Sequence, residues 1–243
     1  MSLTVFANSR VPESAQTGVH EQLPALLERH RATLYRRPVA EYSRRAFAAS
    51  LSRVEEVGPG CPLILDSGCG VGESSVHLAR RFPGHYVIGV DQSAVRLARG
   101  RRSASRWPDN LDLVRADLVD YWRLLDTAGL RLDRHYLLYP NPWPKRAHLV
   151  RRWHGHPVFP TLVALGGVLE CRSNWAVYVA ELCLAVCSIS GRECRCEDYV
   201  PLEPMSPFER KYLASGHPLF RMVVDLGSRR FAGRAVVAGR EAS

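Results

Sequence analysis

A chain of 243 residues, 46% of them hydrophobic, is long enough to build one large domain around a substantial core. No apolar run reaches membrane-spanning length, and Met1 to Arg10 lack the continuous apolar stretch of a secretory leader, so the sequence predicts a cytoplasmic protein. The net charge of +9 comes almost wholly from arginine, with lysine only at Lys145 and Lys211, which fits a compositional bias as readily as a nucleic-acid footprint.

Residues 1–18 are polar and poorly patterned, an arm. From Glu21 to Arg37 the residues Leu23, Leu26, Leu27 and Leu34 recur at helical spacing, and after Pro38 a second helical stretch runs to Val57, ended by Gly58-Pro59-Gly60. Residues 1–60 therefore read as an arm and helical segment able to cover a ligand as a lid, and 61–243 as the main domain. Strands are predicted at 62–66, 86–90, 111–115, 134–139 and 167–171, and helices at 72–82, 93–104, 157–165 and 174–189. That alternation predicts an α/β fold, a mostly parallel sheet with helices on both faces. After Gly191 the pattern turns strand-rich over Arg192–Val200, Leu219–Leu226 and Phe231–Ala238, an antiparallel C-terminal edge. The seven cysteines, at 61, 69, 171, 183, 187, 194 and 196, form no C-x-x-C pair and read as reduced thiols. Cys194-Arg195-Cys196 suggests a metal ligand pair, but no second pair is evident at zinc-site spacing, so strand alternation is the preferred reading and no metal is expected.

The chemistry concentrates in two stretches. In the first, an apolar run ends in Asp66 and opens Gly68-x-Gly70-x-Gly72; a second run then ends in Asp91. Strand, glycine turn, helix, strand and acid make half of a nucleoside-binding unit, with Asp91 placed to accept from ribose hydroxyls. The Gly-x-Gly-x-Gly spacing is not that of dinucleotide binders, and no P-loop lysine follows. These residues resemble the S-adenosylmethionine (SAM) site of class I methyltransferases. The resemblance implies SAM as the cofactor, Asp66 and the glycines beside its methionine part, Asp91 on its ribose and Asp117 beside its adenine.

The second stretch is Pro140-Asn141-Pro142-Trp143-Pro144-Lys145, at the carboxyl end of the fourth strand, where open α/β sheets bind ligands. Three prolines stiffen it and remove backbone donors, so it can hold a nucleophile beside the cofactor, with Pro140 at the cofactor's edge. With the basic run Arg146 to Arg152, with Arg172-Ser173-Asn174-Trp175-Ala176-Val177-Tyr178 and with Ser206-Pro207-Phe208-Glu209, the chain resembles the bacterial tRNA (guanine-N7) methyltransferase family from about Leu63 onward. That family carries aspartate where this chain has Asn141 and Asn174. A carboxylate suits the N–H edge of guanine; a neutral amide does not.

Asn141-Pro142-Trp143 is similar to the Asn-Pro-Pro-Tyr loop of amino-group methyltransferases, and the substitutions resemble those of azetidine-2-carboxylate synthases, which close SAM's own methionine chain into a ring and release methylthioadenosine. The reading assigns Asn141 and Tyr178 as catalytic groups that orient a neutral amine, and Tyr139, Trp143, Asn174 and Trp175 as pocket walls that exclude water and stabilise the sulfonium. The bland assignments are a helix cap for Asn174 and a core ring for Tyr178. The alternatives are a tRNA guanine-N7 methyltransferase, whose phosphate contacts would be Lys145, Arg146, Arg151, Arg152, Arg210 and Lys211, an enzyme methylating an external small amine, and a non-catalytic SAM-binding paralogue.

Overall fold

The computed structural model describes residues 9–227 except 59 and 104–106. Two helices, α1 (Leu23–Ala32) and α2 (Glu41–Val57), precede β1 (Leu63–Ser67). Then come α3 (Glu73–Arg81), β2 (Tyr86–Asp91), α4 (Ala94–Ser103), β3 (Leu111–Arg115), α5 (Leu118–Thr127) and β4 (Arg134–Leu138). Two short 3₁₀ turns, Arg146–Arg151 and Trp153–Gly155, lead to α6 (Phe159–Ala164), β5 (Val168–Ser173), α7 (Ala176–Ser190), β6 (Arg195–Asp198), α8 (Pro207–Ala214) and β7 (Phe220–Asp225).

The strands form one seven-stranded sheet in the order β3-β2-β1-β4-β5-β7-β6. The first five are parallel, and β7 runs antiparallel to both β5 and β6. Chain order reverses between β1 and β4, and ligands of such sheets sit beyond the strand ends at that switch point. In β1, Leu63 and Leu65 enter one core with Leu27, Phe47, Trp122, Phe159 and Leu182, while Ile64 enters the opposite core with Leu78, Val87, Tyr136 and Met205. Burial on both faces explains why the strand reads as a continuous apolar run. Leu23 and Leu27 of α1 lie in the first core, so the N-terminal helices pack on the sheet's helical layer.

The predicted strands and helices appear with end shifts of a few residues. Among the described residues the expected edge strand Arg192–Val200 shortens to β6, and the expected strand Phe231–Ala238 lies outside them. Helices α5 and α8 are absent from the sequence reading. The run Leu118-Val119-Asp120-Tyr121-Trp122 is β-branched and aromatic enough to hide helical spacing; Asp117 starts α5 by accepting from the Val119 N–H at 2.8 Å. Ser206 does the same for α8, accepting from the Glu209 N–H at 3.2 Å. No described helix is long and apolar enough to cross a membrane.

Candidate active site

The site begins at the end of β1. Asp66 is almost fully buried, and its Oδ2 accepts from the Ser74 hydroxyl at 2.6 Å and the Ser75 hydroxyl at 2.7 Å, both on the first turn of α3. Its Oδ1 is buried and has no hydrogen-bond partner among the described residues. Burial pushes the carboxyl above its ordinary range, and the two serine hydroxyls oppose that shift. A buried acceptor with a lone pair to spare fits a hydrogen-bond donor on the methionine part of SAM.

The loop after Asp66 turns through left-handed backbone, with φ of 61° at Gly70 and 79° at Gly72. A side chain on Gly72 would meet Leu113, whereas one on Gly70 would meet nothing within 4 Å, so a ligand has room there. Asp91, at the end of β2, holds this loop and itself: its Oδ2 accepts from the Gly70 N–H at 3.0 Å and its Oδ1 from the Ser93 N–H at 2.7 Å. A carboxylate anchored by two backbone donors is held in one orientation at the end of β2. Asp117 is engaged structurally, capping α5 and accepting from Arg37 at 3.0 Å. Pro140 follows Tyr139, whose φ of 52° turns the chain sharply off β4.

The proline loop is held by its carbonyls, as a segment short of donors must be. Arg152 donates to the Trp143 carbonyl at 3.1 and 3.2 Å and to that of Lys145 at 3.4 Å; Ser14, from the N-terminal arm, donates to that of Pro144 at 2.5 Å. Asn141 is exposed, and its side-chain oxygen accepts from the Trp143 N–H at 3.3 Å. That long bond leaves the oxygen a second lone pair and the amide nitrogen its donors.

Beneath the loop lies a buried charge network that sequence reasoning missed. Arg152 and Glu181 are fully buried and paired at 2.5 Å. Glu181 also accepts from His154 at 2.8 Å, from the Gln16 amide at 2.6 Å and from the His20 N–H at 2.9 Å. Burial would raise the Glu181 carboxyl, but the bonds from His154 and Arg152 outweigh it and hold the group well below the usual carboxylate range. Burial lowers His154, which fits a neutral ring donating to that carboxylate. The only sequence signal for this network was an arginine beside the loop and an acid in an apolar helix.

The remaining candidates separate. Tyr178 is fully buried, edge-on to His154 at 4.9 Å between ring centres; its hydroxyl lies near the Trp153 backbone without a hydrogen bond of good geometry. Trp175 lies under the Arg152 guanidinium at 4.9 Å, and Trp143 under that of Arg151 at 4.8 Å. Asn174 does not cap α7: its amide nitrogen donates to His217 Nδ1 at 3.0 Å, and His217 Nε2 donates to the Ser9 carbonyl at 2.8 Å. Tyr139 donates at 2.7 Å to buried Glu209, which also accepts from Arg172 at 2.9 Å. Glu209 thus braces the turn behind the loop.

Of the basic residues near the loop, four arginines have partners within the chain, while Lys145 and Lys211 are exposed. Arg146 donates twice to Glu21 at 2.6 Å, Arg210 pairs with both oxygens of Glu73, Arg151 covers Trp143 and Arg152 is buried.

The family described as "Putative methyltransferase" (Methyltransf_4) matches residues 61–222. Curated tRNA (guanine-N(7)-)-methyltransferases align over most of the chain: that of Burkholderia vietnamiensis is 26% identical over 89% of this chain and 92% of its own, and that of Treponema pallidum 27% identical over 72% and 74%. Among solved structures, one described as an antibiotic-related methyltransferase aligns at a TM-score of 0.52 with 18% identity, covering 71% of this chain and 92% of its own. The 16S rRNA methyltransferase KamB aligns at 0.51 with 15% identity, covering 78% and 94%. These likenesses establish the fold as the class I, Rossmann-like one, and the family implies SAM as methyl donor. With this glycine loop, these two acids and a match from the start of β1 to β7, the chain belongs to the Methyltransf_4 family of SAM-dependent methyltransferases.

Proposed function

We propose that this chain uses SAM with a nitrogen nucleophile, and that the nucleophile is SAM's own α-amine. Asp66, the glycine loop and Asp91 would hold the substrate, with Asp117 and Pro140 toward its adenine and reactive ends. The amine attacks the γ-carbon; the N–Cγ bond forms as the Cγ–S bond breaks, its electron pair going to sulfur. Azetidine-2-carboxylate and methylthioadenosine result, and one proton is lost from the starting ammonium. The attack needs a neutral amine, and an uncharged amide at Asn141 orients one without stabilising its cation. Tyr178, fully buried against His154, backs the site rather than touching the amine, and Tyr139, Trp143, Asn174 and Trp175 exclude water around Asn141. The arm supports the same reading: Ser9, Ser14, Gln16 and His20 bind it across the loop, as a lid over a small substrate would be bound.

The observation that carries the proposal is the exposed, uncharged amide of Asn141, whose oxygen keeps a second lone pair, together with the burial of Arg152 in an ion pair and the pairing of Arg146 and Arg210 with Glu21 and Glu73. A nucleic-acid enzyme needs such cations free for phosphate. A second reading, methylation of guanine N7 in tRNA, is favoured by the names of the curated relatives. Incubation of the purified protein with SAM alone, and with SAM plus unmodified tRNA, separates them. Methylthioadenosine and a cyclic amino acid from SAM alone support the proposal. S-adenosylhomocysteine formed only with tRNA establishes the second reading instead, and no product in either mixture contradicts both.

A further inference from the structure

Three of the seven cysteines converge far from the glycine loop in sequence, at the junction of α7 and β6, with a fourth, Cys196, alongside. Cys183 and Cys187 are four residues apart on α7 and therefore share one helix face. Gly191, at a φ of 69°, ends the helix with its N–H on the Cys187 carbonyl at 2.9 Å, and the chain turns back along the helix. Cys194 then immediately precedes β6 and Cys196 lies within it, two residues on, the spacing that returns a side chain to the same side of an extended chain. Cys196 donates to the Val179 carbonyl at 3.8 Å, one turn of α7 before Cys183, so that side is the one turned to the helix.

The sulfurs of Cys183, Cys187 and Cys194 all lie within 4.8 Å of one another. Cys196 stands outside that trio but is a neighbour of Cys183, its thiol directed to the Val179 carbonyl at 3.8 Å. A tetrahedral zinc site has Zn–S bonds of about 2.3 Å, hence sulfur–sulfur edges near ~3.8 Å, so contraction by about 1 Å at most brings the three sulfurs to that spacing. The spacing C-x₃-C-x₆-C-x-C supplies four ligands from two elements, the second pair that Cys194 and Cys196 lack when only their own strand is considered.

We propose that Cys183, Cys187, Cys194 and Cys196 form a closed, structural Zn²⁺ site that ties the C-terminal half of α7 to the edge strand β6. Four sulfur donors select a soft or borderline d¹⁰ cation over magnesium or calcium. Binding exchanges the thiol protons for the metal, with no change of oxidation state. The edge strand needs such support, because β6 is four residues long, its residues are exposed, and among the described residues β7 is its only strand neighbour. A metal clip there would fix the antiparallel edge and, through α7, the helix that carries Glu181 and follows Trp175.

The test is elemental analysis of the full-length protein purified under reducing conditions without chelator, followed by exchange with Co²⁺. The proposal predicts one zinc per chain, a cobalt form with intense thiolate-to-metal charge-transfer absorption and tetrahedral ligand-field bands, and a lower Tm after chelation. Cys187→Ser and Cys194→Ser lose the metal, while Cys61→Ser, outside the cluster, keeps it. If the serine variants do not fold, the cobalt spectrum of the wild-type chain still decides. Zinc at background level with no thiolate–cobalt absorption in a folded protein overturns the proposal. So does peptide mapping that finds a disulfide between any two of the four in protein isolated without oxidation.

Discussion

At the level of single residues, the account turns on Asn141. An aspartate there could make the same turn with the Trp143 N–H, so Asn141→Asp tests charge with little change of shape. The expected outcome is a loss of turnover of a hundredfold or more, about 2.7 kcal/mol or more at the barrier, with SAM affinity retained in a calorimetric titration. Full activity in that variant would remove the amine-orienting role. Gly100 is a second test. A side chain on it would sit 1.8 Å from the Val71 carbonyl oxygen, so α4 can pack against the glycine loop only because that side chain is missing. Gly100→Ala is expected to cost about 1–3 kcal/mol of stability and to weaken SAM binding. Thermal unfolding with and without SAM reads both. Asp66, Gly70 and Asp91 were legible in the sequence because their chemistry is local: an acid at a strand end, a turn that needs positive φ, an acid one strand later. Tyr139 was legible as a residue but not in its contacts, since its partner Glu209 is seventy residues away.

At the level of elements, the N-terminal arm and the proline loop act as one piece joined by the Arg152–Glu181 pair. Removing one member of a buried pair strands the other charge and costs about 3–5 kcal/mol. Arg152→Met should therefore destabilise the chain by that amount in urea unfolding, and should expose the arm to limited proteolysis before the domain unfolds. Replacing both partners, Arg152→Met with Glu181→Leu, removes the stranded charge but orphans the His154, Gln16 and His20 donors and the loop carbonyls, so it should recover only part of the stability and leave activity low. The repeated strands and helices could be read from periodicity because one face of each is buried. Helix α5 was hidden by its aromatic and β-branched composition, and the cysteine cluster because its two halves lie on different elements. The arm's docking was invisible for a similar reason: Ser14 and Gln16 are ordinary polar residues whose partners Pro144 and Glu181 come 130 and 165 residues further along.

The whole molecule should show a characteristic response to acid. His135 is fully buried on β4 beside Ser67, at 2.8 Å, and burial lowers its pKa from 6.5 to about 3. The unfolded chain takes up the proton first as pH falls. The stability linked to this group is thus complete above pH 6.5 and declines through the interval down to about pH 3, by up to ~1.4 kcal/mol per pH unit. Urea midpoints measured from pH 7 to 4 should fall accordingly, and His135→Gln should flatten the decline. With Arg152 buried and Arg146 and Arg210 paired with acids near the loop, binding to tRNA there should be weak, with a shallow dependence on salt, despite the net charge of +9.

The most direct measurement is the fate of SAM carrying heavy nitrogen at its α-amine, incubated with the protein and no other substrate. The account predicts azetidine-2-carboxylate that retains the label, formed in equal amount with methylthioadenosine. Intact SAM in that mixture, with S-adenosylhomocysteine appearing once unmodified tRNA is added, would contradict it.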